Sequence, residues 1–153
     1  MRAMRREDRQ IDEQEARKIL AKGLFGVLST VGADGDPYGV PISYVYRDGV
    51  IYIHSAPEGR KLDNLHLGAH VSFCVVGNVE TQPEMFSTRY ESAIASAEVF
   101  ELFDDPKLTA LTWLIQKYSP DFQTEGADYI ASRQDETRVF ALRIAQLTGK
   151  RRA

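Results

Sequence analysis

The chain has 153 residues, 43% of them hydrophobic and 27% charged, with a net charge of −3 at pH 7. That length predicts one domain over residues 1–153 with a core of its own. The slightly acidic balance argues against a nucleic-acid-binding domain. No apolar run approaches the length of a membrane span, and no signal-peptide pattern is seen. The single cysteine, Cys74, excludes an internal disulfide and reads as a reduced, buried thiol of a cytoplasmic protein.

Residues 1–9 are polar and basic and read as a surface segment. Asp12 and Glu15 have capping-box spacing, and Ile11 and Ala16 sit at staple positions. A helix follows, with Ile19 and Leu20 buried and Gly23 as its stop. Residues 24–31 read as a first strand, in which Gly26 allows another backbone to come close. Residues 32–36 are a turn. Residues 37–47 read as a second strand, with Val40, Ile42, Tyr44 and Tyr46 on one face. Asp48-Gly49 is a two-residue hairpin signal leading into a third strand, 50–55. These three strands are expected to form an antiparallel meander.

After a loop, Leu62 and Leu65 mark a short helix ending at Gly68. Residues 70–76 predict a fourth strand, with Val71, Phe73 and Val75 facing one way and Ser72 and Cys74 the other. Residues 77–84 read as a loop, and 85–103 as a long irregular β segment. Small residues dominate 92–97, predicting that something large lies close to that backbone. Asp105 as N-cap and Pro106 at the first position open a second helix. Its stripe is Leu108, Leu111, Leu114, Ile115 and Tyr118, and Ser119-Pro120 closes it. Residues 121–136 read as a polar connection with one helical turn near Tyr129. Residues 137–147 are the last strand. The order predicts a mainly β fold with peripheral helices, a six-stranded antiparallel barrel, with a sandwich as the alternative.

The stretch that concentrates chemistry is residues 52–61, Tyr-Ile-His-Ser-Ala-Pro-Glu-Gly-Arg-Lys. It reads as a strand end, a loop punctuated by Pro57 and Gly59, and the first turn of a helix. Arg60 and Lys61 at that point make a seat for a phosphate. Such pairs are commonly plain solvated charges; what distinguishes this one is its position after a strand that delivers His54 and Ser55. His54 can donate a hydrogen bond, relay a proton or bind metal, or be a satisfied structural histidine. His66 and His70 are four apart, but Gly68 intervenes and no cysteine is near, so no zinc site is expected. Ser43 and Ser55 lack the G-x-S-x-G elbow of a serine hydrolase. Trp113 and Tyr118 read as core or interface residues, with Trp113 also a candidate for the substrate side.

This stretch resembles the phosphate-binding segment of the flavin-binding split β-barrels, the pyridoxamine 5′-phosphate oxidase-like proteins. His-Ser-Ala, a short loop and Gly-Arg-Lys are similar to the branch named for nitroimidazole resistance. The resemblance runs from about residue 5 to 150 and is strongest over 37–61. It implies a six-stranded antiparallel split barrel that binds FMN. It implies that Arg60, Lys61 and Ser55 hold the phosphate, that Val40, Pro41, Ile42 and Ser43 line the ring from the strand paired to His54, and that His54 lies at the active site. It also implies a homodimer with the cofactor at the interface, the second wall coming from the partner through Ser92 and the small residues after it. Where the family often has Arg-Ser and then Gly, this chain has Glu91-Ser92 and Ala95. That argues against a phosphate role there and leaves a backbone contact to the ring. Pro41 cannot donate to a ladder, so it marks either a plain edge strand or a bulge turned toward a ligand.

Residues 142–150 contain no Arg-x-His substrate motif, so vitamin B6 oxidation is not expected; Thr148-Gly149-Lys150 resembles the nitroimidazole-resistance branch. The expected function is therefore FMN-dependent reduction of a small electron acceptor such as a nitroaromatic compound, with no metal. One alternative is a non-catalytic flavin- or haem-binding barrel, with His54, His66 or His70 as axial ligand. Another is a deazaflavin-dependent reductase, although the lone Arg60-Lys61 pair suits a single phosphate better than a long acidic tail.

Overall fold

The structure is a computed structural model and describes residues 2–153. The first helix, α1 (Glu13–Lys22), starts where the sequence asks: the Glu15 backbone N–H donates to the Asp12 carboxylate at 2.8 Å, satisfying a donor that has no partner within the helix. Glu15 does not complete the box; its carboxylate pairs with Lys18 and Arg151. Ala16, Ile19 and Leu20 form the buried face. Gly23 ends the helix for lack of space, not for a left-handed turn. Its φ is −63°, and a Cβ there would lie 2.5 Å from Tyr44 Oη and 2.6 Å from Val75 Cγ1.

β2 (Gly26–Val31) alternates strictly between buried and exposed positions, and Gly26 lets the Phe73 ring lie against the backbone. Between β4 (Val45–Arg47) and β5 (Val50–Ser55), Asp48 and Gly49 take φ values of 47° and 82°. Two successive positive φ values match the right-handed twist of the strands they join.

The sheet has eight strands rather than the expected six: β3 (Pro37–Ile42), then β2, β6 (His70–Gln82), β7 (Ser87–Leu102), β8 (Arg138–Arg152), β5 and β4, with a short β1 (Gln10–Ile11) added on β8. The expected second strand breaks at Ser43-Tyr44 into β3 (Pro37–Ile42) and β4. β3 pairs with β2, whereas β4 pairs with β5. The three-strand meander therefore does not form, and Val40–Ser43 is not on a strand paired to His54, which pairs with Val139 of β8. β3 and β4 are the two open edges of the sheet. Because only Ser43 and Tyr44 connect them, the edges come together there and the barrel is closed except along this seam.

β6 (His70–Gln82) and β7 (Ser87–Leu102) form a hairpin longer than predicted. The expected loop at 77–84 is mostly strand: the register shifts between Gly77 and Glu80, where Asn78 takes a φ of 50°, and pairing resumes at Glu80↔Arg89. Such a bulge absorbs one turn-like residue without ending the ladder. Helix α3 (Asp104–Tyr118) has Phe103, not Asp105, at its N-cap, with no side-chain cap bond. The polar stretch beyond it holds an 11-residue helix, α4 (Gln123–Arg133), where only one turn was expected.

Two clusters form the interior. The barrel core includes Leu28, Tyr44, Ile51, Ile53, Phe73 and Phe140, all 1% exposed or less. Ala93, Ala95 and Ala97 face this core, and what approaches the small-residue run is the protein's own α1: a Cβ on Gly149, which pairs with Ala93, would lie 2.9 Å from Ala16 Cβ. A second cluster joins Val45 and Val139 to Ala110, Leu111 and Leu114 of α3. It fixes the α3–α4 pair on the outside of the β5–β8 edge.

Candidate functional site

Alternation along β5 buries Ile53 and Ser55 and turns His54 outward. Outward here means into a cavity of about 540 Å³. His54, Ser55, Ala56 and Pro57 line one side; Leu111, Leu114 and Ile115 of α3 and Tyr129 and Ile130 of α4 line the other. The sequence singled out the first wall but not the second, because α4 was not expected. Its one available signal was Gly126. A Cβ there would lie 2.5 Å from Ile115 Cγ2, so this glycine permits close helix–helix approach.

Partial enclosure, and then the nearby Lys61 ammonium, hold the His54 imidazole below its usual pKa of 6.5. His54 is thus neutral at neutral pH, with one ring nitrogen a donor and the other an acceptor. Lys61 is half-buried, and burial alone lowers its pKa. It forms no ion pair among the described residues. A half-buried ammonium without a counter-charge is a site that an anion would satisfy.

Arg60 diverges from Lys61. It is exposed, its guanidinium lies 4.5 Å from the Tyr38 ring centroid, and it lines a separate depression with Asp34, Asp36 and Asp63. Helix α2 (Arg60–Asp63) is a single turn, and Gly59 before it has a φ of 143°, which only glycine adopts readily.

Along β3, Val40 and Ile42 pack partly buried on the barrel core. Pro41 on the edge strand and Ser43 just beyond its end stay exposed; of the two readings of Pro41, the edge strand is the one seen. At the seam the chain is clasped from α3. The Tyr44 N–H donates to Tyr118 Oη at 3.0 Å, Tyr118 Oη donates to the Leu24 carbonyl at 2.6 Å, and Lys117 Nζ donates to the Tyr44 carbonyl at 2.8 Å. Lys117 also sits 3.9 Å from the Tyr44 ring centroid, and burial lowers its pKa to about 8. Tyr118 is therefore a hydrogen-bonding clasp rather than a member of the apolar stripe.

Ser92 lies on the outer face of β7 between Val76 and Lys150, away from the His54 cavity within one chain. That face also exposes Val27, Val76 and Ile94, with Cys74 between Val27 and Ile94. The neighbouring Glu91 is buried and receives Lys22 Nζ at 2.6 Å, Asn78 Nδ2 at 2.7 Å and Arg151 Nη2 at 3.2 Å. Burial raises its pKa, but the bonds from Lys22 and Arg151 outweigh burial and leave it lowered. Glu91 thus ties α1 to β7 and β8, a structural use of the position at which the sequence departs from the resembled pattern. Trp113 packs edge-on against Tyr52 at 5.2 Å with Arg47 stacked at 4.5 Å. It lines a different depression from His54. Among the described residues no cluster of His, Cys, Asp and Glu could hold a metal ion, and no helix is long and apolar enough to cross a membrane.

An antiparallel barrel open along one seam, with His54 and Ser55 at the end of its fifth strand, defines a split-barrel protein. The family model described as pyridoxamine 5′-phosphate oxidase matches residues 12–151, so the chain belongs to that family. Comparison with curated proteins gives no match. Among solved structures, a candidate 5-nitroimidazole antibiotic resistance protein from Bacteroides thetaiotaomicron is 24% identical, with a TM-score of 0.75 over 92% of this chain and 85% of that one. The FAD and heme binding protein from Mycobacterium smegmatis is 23% identical, with a TM-score of 0.80 over 94% and 73%. The flavocytochrome Anf3 from Azotobacter vinelandii is 16% identical, with a TM-score of 0.69 over 99% and 72%. At these identities the structures share the fold.

Proposed function

We propose that this protein is a cytoplasmic, homodimeric, FMN-dependent oxidoreductase that reduces small acceptors such as nitroaromatic compounds. The observation that carries the reading is Lys61, half-buried and uncompensated near His54. Bound FMN supplies hydride and electron transfer. Lys61 neutralises its phosphate and the Ser55 hydroxyl donates to it, with Arg60 on the far flank. The outer edge of β3, at Pro41 and Ser43 and the backbone of Val40 and Ile42, flanks the ring. His54, being neutral, orients a polar group through one N–H without drawing in an anion.

The acidic depression around Arg60 favours FMN over a deazaflavin, because Asp34, Asp36 and Asp63 would repel a long anionic tail. The exposed apolar face around Val27, Val76 and Ile94 supports a homodimer, in which the partner subunit's Ser92 supplies the second wall. The missing Arg-x-His motif argues against pyridoxamine phosphate as substrate. A haem-binding reading retains one supporting observation, the accessible imidazole of His54 in a large cavity.

The test is the visible spectrum of protein purified without added cofactor, then identification of what denaturation releases. A yellow protein that releases FMN and, once reduced, is reoxidised by a nitroaromatic compound is the expected result. A Soret band would replace it with the haem reading. A colourless protein that fails to take up FMN would refute it.

A further inference from the structure

The α3–α4 cavity has more to it than a flavin phosphate site needs. Neither Lys61 nor Arg60 lines it. Its volume, about 540 Å³, falls within the roughly 300–1,000 Å³ of small-molecule sites. Its walls are aliphatic, from Leu111, Leu114, Ile115 and Ile130, and the Tyr129 ring adds a stacking surface. The shape is built in. Gly126 lets α4 close against Ile115, and Lys107 Nζ donates to the Gln134 carbonyl at 2.6 Å, fixing the far end of α4 to α3.

The polar rim specifies the charge of a ligand. Arg133 Nη1 is already committed to Glu136 Oε2 at 2.9 Å, so an incoming anion meets a carboxylate along with the guanidinium. His54 offers hydrogen bonds, not a positive charge. An aliphatic slot with a charge-balanced rim and one imidazole at its end favours a neutral ligand, because a charged one would lose hydration without gaining a counter-ion.

We propose that this cavity is a binding site for an uncharged, mainly apolar aromatic molecule that turns one hydrogen-bonding group toward His54. The cavity meets the proposed flavin site at His54 and Ser55, which line it, so the proposal rests on that same strand end but not on FMN being the cofactor. Isothermal titration calorimetry with 1-naphthol and 1-naphthoate at pH 7.5 tests it, since the two share a ring system and differ in charge. The expected result is one 1-naphthol per chain, bound at least about tenfold more tightly than 1-naphthoate. Ile115→Trp from the floor and Gln134→Trp from the rim each weaken it by at least about tenfold. If circular dichroism shows Ile115→Trp unfolded, Gln134→Trp decides alone. Tighter binding of naphthoate, no binding of naphthol, or affinity untouched by the folded variants would each overturn the proposal. FMN binding is titrated separately, so a protein that takes naphthol but not FMN sinks the flavin reading and leaves this one standing.

Discussion

Replacing Lys61 by methionine should separate function from stability, because the two effects have opposite signs. Two unit charges 4 Å apart interact by about 4 kcal/mol at an effective dielectric of 20. Half-exposure and salt reduce this to about 1–2 kcal/mol for Lys61 and a phosphate. Lys61→Met should therefore weaken FMN binding roughly 5- to 30-fold while leaving riboflavin, which has no phosphate, unaffected. In flavin-free protein the ammonium is a cost, since burial lowers its pKa below 10.5. Removing it should stabilise the apoprotein by about 0.5 kcal/mol at pH 7. The pH dependence follows. Between the depressed folded pKa and the unfolded value near 10.5, the unfolded chain binds more protons, so wild-type stability rises with pH there. The variant lacks this rise, and the two converge above it. Urea unfolding of flavin-free protein at pH 7 and pH 10, with FMN and riboflavin titrations alongside, measures all three quantities. Equal losses for FMN and riboflavin, or a destabilised apo variant, would refute the assignment. Arg60→Met should cost less FMN affinity, because its guanidinium is stacked on Tyr38.

Three other outcomes follow from the packing. Gly26→Val would drive a side chain into the buried Phe73 ring and should cost about 1–3 kcal/mol in urea unfolding. Glu91→Gln should cost about 1–2 kcal/mol at pH 7 by leaving the Lys22 and Arg151 contacts uncompensated. Because the Glu91 pKa is lowered, its contribution is present above 4.5 and lost as pH falls through the folded value, so wild type and variant should converge in acid. Tyr118→Phe removes the hydroxyl that accepts from the Tyr44 N–H and donates to the Leu24 carbonyl; it should lower stability by about 1–2 kcal/mol and weaken FMN binding, read by thermal melting and flavin titration.

What the residues settle by themselves is local. Asp12 caps α1 because a carboxylate three residues before a bare N–H has little else to do. Asp48-Gly49 reverses the chain because both can take positive φ. Val71, Phe73 and Val75 bury themselves because a pleated strand alternates. The candidate loop from His54 to Lys61 was also visible, since its residue types mark it without reference to partners.

The sequence marked the two hairpins, β2–β3 and β4–β5; the tertiary structure decided where the chain leaves one for the other. The alternation of Val40, Ile42, Tyr44 and Tyr46 runs unbroken through Ser43-Tyr44, so nothing along the chain marks the point where it crosses the seam. The clasp that holds that point comes from Tyr118, 74 residues away. Only the fold sends Arg60 toward Tyr38 and leaves Lys61 half-buried near His54, though the two are adjacent in sequence. Likewise Glu91 is held by Lys22 and Arg151, partners that nothing near it in the chain announces. Dihedral preferences and periodicity act over a few residues. Seam, cavity wall and buried ion pair are made between segments far apart in the chain, where no local preference reaches.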